Sequence, residues 1–181
     1  MQFLETKPHT RVVAIITLVA LVATVLVRQQ FAEAERIMSA RGYGIIPYEL
    51  AFTPQRANAI LEAWGPEVEP YARHSLLVDF AFMPSYALLF AGVTLLIART
   101  AQGGLRRAGL WMVRWPFVAA VLDAVENIML LSMLGHAGEV AAGPPLVAGA
   151  AAALKFLLLI ATVLYWLVGV IAWVVRKVRP A

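Results

Sequence analysis

Composition indicates a membrane protein. The chain has 181 residues, of which 61% are hydrophobic and 14% are charged, and it contains no cysteine. Soluble domains average roughly half apolar and a quarter charged residues, so a water-soluble fold of this size would expose too much apolar surface. The lack of cysteine excludes disulfides, zinc–thiolate sites, iron–sulfur clusters and thiol nucleophiles. The formal charge of +4 comes from basic residues near predicted helix ends, which favours orientation in a membrane over nucleic-acid binding.

The first apolar block runs from Val12 to Val27 and predicts a membrane span at about residues 10–28. A secretory signal peptide is the alternative, because residues 32–34, Ala-Glu-Ala, resemble a small-x-small cleavage site after a basic start. The block is long for the apolar part of a signal peptide, and polar residues 28–30 separate it from that site. We therefore favour a span.

Residues 29–73 are polar and predict a small folded segment with short helices between the first two spans. Thr-Pro at 53–54 is typical of a helix start, and Gly-Pro at 65–66 is typical of a helix end. Residues 45–52 are candidates for an extended stretch, although their proline argues against a central strand. Three aromatic residues are expected to pack this segment or to contact lipid headgroups instead of binding a substrate: Tyr43, Tyr48 and Trp64.

Three further apolar blocks predict spans at about residues 74–98, 112–134 and 146–175. Pro84 lies inside the second span and is expected to kink it, because proline removes one backbone hydrogen bond. The predicted fold class is therefore all-α: a polytopic membrane protein with a four-transmembrane-helix bundle, a small extracytoplasmic cap between helices 1 and 2, and one membrane domain over residues 1–181.

Lysine and arginine predict the orientation, because short basic loops resist translocation across a membrane. Nine of the fifteen basic residues lie near the N-terminus, in the 99–114 loop or near the C-terminus, whereas the 135–143 loop has none. Four spans place all nine in the cytoplasm, while three or five would place a strongly basic segment outside. We expect the inner cell membrane, with both termini cytoplasmic. The nine residues are Lys7, Arg11, Arg99, Arg106, Arg107, Arg114, Arg176, Lys177 and Arg179.

Each of the last three predicted spans holds ionisable or amide side chains inside its apolar run: Asp79, then Asp123, Glu126 and Asn127, then Lys155. A charge at the centre of a span costs roughly 2.5–3.5 kcal/mol, so such residues normally face other helices and find partners there. Positions i, i+3 and i+4 share a helical face, so the three residues of the third span point the same way. At 1.5 Å per residue, all five lie roughly 6 to 14 Å from the outer ends of their spans. The sequence therefore predicts one buried polar site in the outer half of the bundle.

Two residues of the second span extend this predicted ligand-binding site. His74 is expected at the outer surface next to Asp79, as a candidate entrance residue or headgroup anchor, and Tyr86 shares a helical stripe with Asp79. Three carboxyl groups beside one ammonium cannot all be ionised in lipid, so we expect at least one protonated acid unless a cation or water compensates. The alternative interpretation is purely structural, with Lys155 paired to Glu126 or Asp79 to hold the helices together.

Metal and cofactor chemistry receive no support from the sequence. His136 and Glu139 share a short loop, but two ligands without a third are typical of a solvated loop. We expect no cofactor, no metal site and no assigned catalytic residue. The expected partners are the lipid bilayer, a small amphipathic ligand or lipid, and another membrane protein or a second copy of the chain, but not nucleic acid.

The 123–127 motif, Asp-Ala-Val-Glu-Asn, combines with residues 79–86 and Lys155 into a pattern that resembles small four-helix membrane proteins of bacteria. Those proteins carry an Asp-x-x-Glu-Asn motif in the third helix. The resemblance covers the chain from about Glu49 onward. It implies the four-helix architecture and the importance of these residues, and it implies no reaction.

Three functions remain open at this point. The first is binding or transport of a small amphipathic molecule, lipid or cation with linked protonation. The second is an accessory or structural subunit of a larger membrane complex. The third is an enzyme that modifies lipids, with Asp79, Glu126 and His74 as acid and base; such groups need hydrogen-bond reach and a pKa near the working pH.

Overall fold

The protein is all-helical. Its structure, a computed structural model, describes residues 2–178, so Arg179, one of the nine basic residues above, lies outside the described residues. Within that range the chain forms eight helices and no strand. They are α1 (Gln2–Thr6), α2 (Thr10–Arg28), α3 (Phe31–Ser39), α4 (Ile45–Glu49), α5 (Pro54–Thr100), α6 (Gly103–Met112), α7 (Trp115–Met133) and α8 (Gly143–Val178).

Four helical stretches are long and apolar enough to cross a membrane, which confirms the all-helical prediction and its four apolar helices. About 20 residues suffice to span a bilayer core of roughly 30 Å. Each stretch exceeds that length: Thr10–Ser39 has 30 residues, Pro54–Thr100 has 47, Gly103–Met133 has 31 and Gly143–Val178 has 36. The first combines α2 with α3, and the third combines α6 with α7.

Helix α5 is longer than the sequence pattern suggested. Gly65 breaks it, with φ 67° and ψ 174°, but Pro66 restarts the helix at once. Proline is well suited to a first helical position, because its missing N–H would have no partner there. The helix therefore runs from Pro66 through Pro84 to Thr100, instead of starting near residue 74, and Gly65 is its one non-helical position.

Residues 45–49 form the short helix α4, so the extended interpretation of this stretch was wrong. Pro47 is the third residue of α4, where a backbone N–H has no intrahelical acceptor, and proline is therefore tolerated. The Glu35 side chain accepts a hydrogen bond from the Ile45 backbone N–H at 3.1 Å and so satisfies one free donor of the first turn. The Glu35 carboxylate thereby helps to fix where α4 begins.

The described chain divides into two compact units, each with contacts of its own. The first, which we call the site unit, comprises residues 25–83 and 120–155. Its apolar core includes Trp64, whose indole N–H donates to the Tyr43 carbonyl at 2.7 Å, and Tyr48, whose hydroxyl donates to the Leu130 carbonyl at 3.0 Å. Burial raises the pKa of the Tyr48 phenol, which keeps this donor protonated. The three aromatic residues Tyr43, Tyr48 and Trp64 thus pack the 29–73 segment.

The second unit, which we call the basic unit, comprises residues 2–24, 84–119 and 156–178. A small apolar core includes Val13, Leu95 and Leu110. The Trp166 indole N–H donates to the Thr94 hydroxyl at 2.8 Å, and Thr94 in turn donates to the Phe90 carbonyl. Thr94 and Trp166 are thus joined by hydrogen bonds between and within helices, whereas Arg106 Nε and the Tyr165 hydroxyl are buried without a hydrogen-bond partner among the described residues.

Candidate functional site

Lys155 is the centre of a buried ion cluster in the site unit. It follows an alanine-rich turn of α8 in which Ala148, Ala151 and Ala152 are buried on the same helical face. Small residues allow neighbouring helices to approach closely, and the long lysine side chain then extends into the space beyond them. Only 7% of the Lys155 side chain is exposed.

Helix α7 contributes two carboxyl groups to Lys155. The ammonium nitrogen lies 2.8 Å from Asp123 Oδ1, to which it donates a hydrogen bond, and 2.7 Å from Glu126 Oε2. The second contact is an ion pair. Because Asp123 and Glu126 are three residues apart on one helix, their carboxyl groups approach the same ammonium from adjacent turns.

Glu49 supplies the third carboxyl group around Lys155, and it was not among the site residues predicted from the sequence. It is the last residue of α4, and its Oε2 lies 3.8 Å from the ammonium nitrogen, within ion-pair distance. Its side chain is 12% exposed, and burial raises the Glu49 pKa above the ordinary 4.5 despite the nearby Lys155 ammonium. The Glu49 and Glu126 carboxyl groups also lie within hydrogen-bond reach of each other. The one available signal was an acid in the otherwise uncharged stretch 45–52.

Asn127 joins a fourth carboxyl group to the same part of α7. Its amide nitrogen donates to Asp79 Oδ2 at 2.8 Å and to the Leu76 carbonyl at 3.2 Å, both on α5. Both amide hydrogens are therefore used, and the Leu76 carbonyl, which can only accept, fixes which end of the amide faces α5. Two contacts agree with the alternative interpretation of the site as purely structural. Lys155 pairs with Glu126, and Asn127 of α7 bonds to Asp79 of α5.

The cluster has more acid than base. Glu49, Asp79, Asp123 and Glu126 supply four carboxyl groups, and Lys155 supplies one ammonium. Glu126 Oε1 is buried without a hydrogen-bond donor in the described part of the chain, and Glu126 Oε2 and Glu49 Oε2 share the single Lys155 ammonium. Buried acceptors without donors are costly, and several like charges in a low-dielectric interior cost more. A proton between the Glu49 and Glu126 carboxyl groups would remove one charge and supply one donor.

Of the two further residues predicted at the site, His74 faces away from this cluster and Tyr86 is buried. His74 is exposed on α5; it is five residues from Asp79, which places it about 140° around the helix. Tyr86 is buried, and its ring packs edge-on against Phe90 with 6.3 Å between centroids.

The remaining polar candidates also lie outside the cluster. His136 and Glu139 are exposed in the loop before α8, and the His136 ring nitrogen Nδ1 lies 3.2 Å from the Leu134 carbonyl. Over residues 2–178, no group of three or more histidine, aspartate or glutamate residues is arranged to hold a metal ion.

A cavity of about 420 Å³ occurs in the basic unit, between α2, α5 and α8. Its lining is almost entirely apolar and includes Thr17, Phe90 and Trp166. None of the cluster residues contributes to it. It is therefore a different feature from the buried ion cluster.

Fold and site together define a class: an all-helical protein with four helices long and apolar enough to cross a membrane, and with a buried lysine–carboxyl cluster in one of its two units. Comparison with models of protein families, with curated proteins and with solved structures finds no match. The residues of the cluster are therefore the basis for inferring a function.

Proposed function

We propose that the chain is a multi-pass protein of a bacterial inner membrane, with both termini cytoplasmic and residues 29–73 as a cap on the outer side. The apolar surface supports this placement. Helices α2 and α8 expose large aliphatic side chains along most of their length, for example Val19 at 63% and Ile171 at 62%. Contiguous exposed apolar surface of this extent is unfavourable in water and suits lipid.

A labelling experiment tests the orientation. Because the chain has no cysteine, single cysteines introduced at exposed loop positions report without background: Ala137→Cys in the loop before α8, and Gln102→Cys between α5 and α6. A membrane-impermeant maleimide should label the first variant in intact cells and the second only after permeabilisation. Labelling of Gln102→Cys in intact cells would contradict the orientation.

We further propose that the Lys155 cluster binds protons and a small amphipathic cation in exchange for each other. The observation that carries this proposal is the contact of one ammonium with three carboxyl groups at 2.7–3.8 Å, with Glu126 fully buried and its Oε1 without a donor among residues 2–178. One carboxylate would be enough to neutralise Lys155. The surplus must be neutralised by protons or by a bound positive charge.

The sign of the cluster selects the class of ligand. An anionic headgroup would add negative charge to a buried site that already has more carboxyl groups than ammonium groups, so it is disfavoured. A cationic headgroup would replace one or more protons and keep the site neutral. The membrane around the site favours a ligand with an apolar part, because such molecules partition into lipid. We therefore propose an organic cation, with Glu49 and Glu126 as the groups that exchange their protons for it.

Proton exchange makes the binding pH-dependent. If one proton leaves for each cation bound, apparent affinity rises tenfold for each unit of pH, by linkage between the two equilibria. Tetraphenylphosphonium, a membrane-permeant organic cation, is a suitable probe for purified protein in detergent. We expect its dissociation constant to fall with rising pH, and a dye in weakly buffered solution to record the released protons.

Glu126→Gln tests the assignment without a large change in shape. This variant should bind the probe more weakly and should release fewer protons, because one of the exchanging carboxyl groups is gone. Glu62→Gln is the matched control, since Glu62 is an exposed glutamate of the same unit. The proposal is refuted if probe binding does not depend on pH in the wild-type protein, or if both variants change binding equally.

A further inference from the structure

The basic unit has a strong excess of positive charge. Its described residues contain eight lysines and arginines and one acid, Glu5. Three of its six described arginines have partners within the unit. Arg99 donates to the carbonyls of Leu4, Lys7 and Pro8, and so ties the start of the chain to the end of α5.

Two further arginines are engaged in the same way. Arg106 forms an ion pair with Glu5 at 3.1 Å, and Arg176 donates to the Thr100 carbonyl at 2.8 Å. These contacts use the single acid of the unit and a free carbonyl at the C-terminal end of α5. Their arginines are thus explained by the fold.

Arg107 and Arg114 are different. Both are exposed, and neither forms an ion pair with a carboxylate among the described residues. Trp111 lies between them in sequence, at spacings of four and three residues, and is 50% exposed. Arg107 and Trp111 lie one turn apart on α6, and Arg114 lies in the turn between α6 and α7. We call these three neighbouring residues the stripe. The Trp111 ring is held edge-on against Trp115, with 5.1 Å between centroids.

We propose that the stripe of Arg107, Trp111 and Arg114 binds the headgroup of an anionic phospholipid. A guanidinium group presents two parallel N–H donors that match the oxygens of a phosphate, and two such groups flank the stripe. Tryptophan prefers the headgroup level of a bilayer, with its ring in apolar surroundings and its N–H near water. The negative surface of a cytoplasmic leaflet attracts basic residues at this position.

This inference depends on the proposed membrane placement and is independent of the Lys155 cluster. The occupant is a lipid and not free phosphate, because the stripe adds an exposed aromatic ring to the two charges and belongs to an apolar stretch, Gly103–Met133. Inorganic phosphate would use the guanidinium groups alone.

Native mass spectrometry on the full-length protein in a neutral detergent tests the proposal, with phosphatidylglycerol and phosphatidylcholine as probes. The wild-type protein should retain phosphatidylglycerol selectively. The double variant Arg107→Gln/Arg114→Gln should weaken its binding about 25-fold, since each arginine near an anionic surface contributes roughly a factor of five. A thermal-shift titration gives a second readout of the same selectivity.

Arg28→Gln/Arg36→Gln is the matched control, because it removes the same charge from exposed positions of the site unit. In a micelle, all four arginines are exposed to the same lipid. This control therefore distinguishes a defined lipid site from nonspecific electrostatic attraction between arginine and anionic lipid. The proposal is overturned by equal retention of the two lipids, by equal losses in both double variants, or by full competition from inorganic phosphate at equal concentration. The cysteine labelling above tests membrane placement separately, so the two failures are distinguishable.

Discussion

Lys155→Met should destabilise the protein in a strongly pH-dependent way. The substitution keeps an unbranched apolar stem of similar length and removes the ammonium group that contacts Asp123 and Glu126 at 2.8 and 2.7 Å. Loss of one partner from a buried ion pair costs about 3–5 kcal/mol, because the other charge stays buried without compensation. The carboxyl groups around residue 155 can limit this cost by taking up a proton.

The cost of that proton sets the magnitude. An ordinary glutamate has a pKa of about 4.3, so protonating it at about pH 7 costs about 3.7 kcal/mol, and at about pH 5 only about 1 kcal/mol. The folded variant then holds one proton more than its unfolded chain, so its free energy of unfolding falls as pH rises, by about 1.36 kcal/mol per unit. Relative to wild type, Lys155→Met should lose about 4 kcal/mol at pH 7 and much less at pH 5.

Denaturant unfolding in detergent micelles, followed by tryptophan fluorescence at both pH values, measures this difference. Lys7→Met is the matched control, because Lys7 is exposed and its removal should change stability by less than about 0.5 kcal/mol. An equal loss for Lys155→Met at both pH values would refute the reasoning about proton uptake. A loss no larger than that of the control would refute the buried ion cluster itself.

Three further predictions concern stability in the same unfolding assay. Asn127→Leu leaves a buried carbonyl and a carboxylate oxygen without their donor and should cost about 2–3 kcal/mol; a loss below about 0.5 kcal/mol would contradict the hydrogen bonds of Asn127. Gly109→Ala should cost about 1–3 kcal/mol, because the new methyl group would clash with the Tyr165 hydroxyl. Gly104→Ala is the matched control: its new methyl group would have no neighbouring atom within 4 Å, so this substitution should stabilise α6 by about 0.4–1 kcal/mol. Burial raises the Glu49 pKa above 4.5, so the folded protein holds this proton more tightly than the unfolded chain does. Wild type should therefore lose stability relative to Glu49→Gln as pH rises above 4.5. A pH-independent difference in melting temperature between the two proteins would contradict this.

The helices could be predicted from sequence because their signals are local. Apolar length identifies the four long helices, and the Gly-Pro pair at 65–66 correctly marks a break in α5. The pattern could not show that the helix resumes at Pro66, since the same dipeptide equally favours a loop. Likewise, the helical state of residues 45–49 depends on an acceptor from Glu35, ten residues away, which no local pattern reveals.

The site could be predicted only in part, for a related reason. Asp123, Glu126 and Asn127 share a face through their spacing alone, and their partners on α5 and α8 follow from the need to neutralise charge inside an apolar run. Glu49 belongs to a polar segment in which an acid needs no explanation. Its contact with Lys155 joins positions more than 100 residues apart in sequence, and only tertiary structure shows it.

Helix pairing alone does not account for the composition of the cluster. A buried ion pair contributes little net stability, because desolvation of both charges offsets most of their attraction, and apolar replacements are often neutral or stabilising. Even if pairing α7 with α8 were the whole purpose, Lys155 and Asp123 would achieve it with one carboxylate and one ammonium. Glu126 and Glu49 add buried negative charge to a pair that is already neutral, which makes the fold more costly unless each new charge is neutralised. We expect protons or cations to supply the missing positive charge, which would link the occupancy of this site to the pH and to the cations that can reach it.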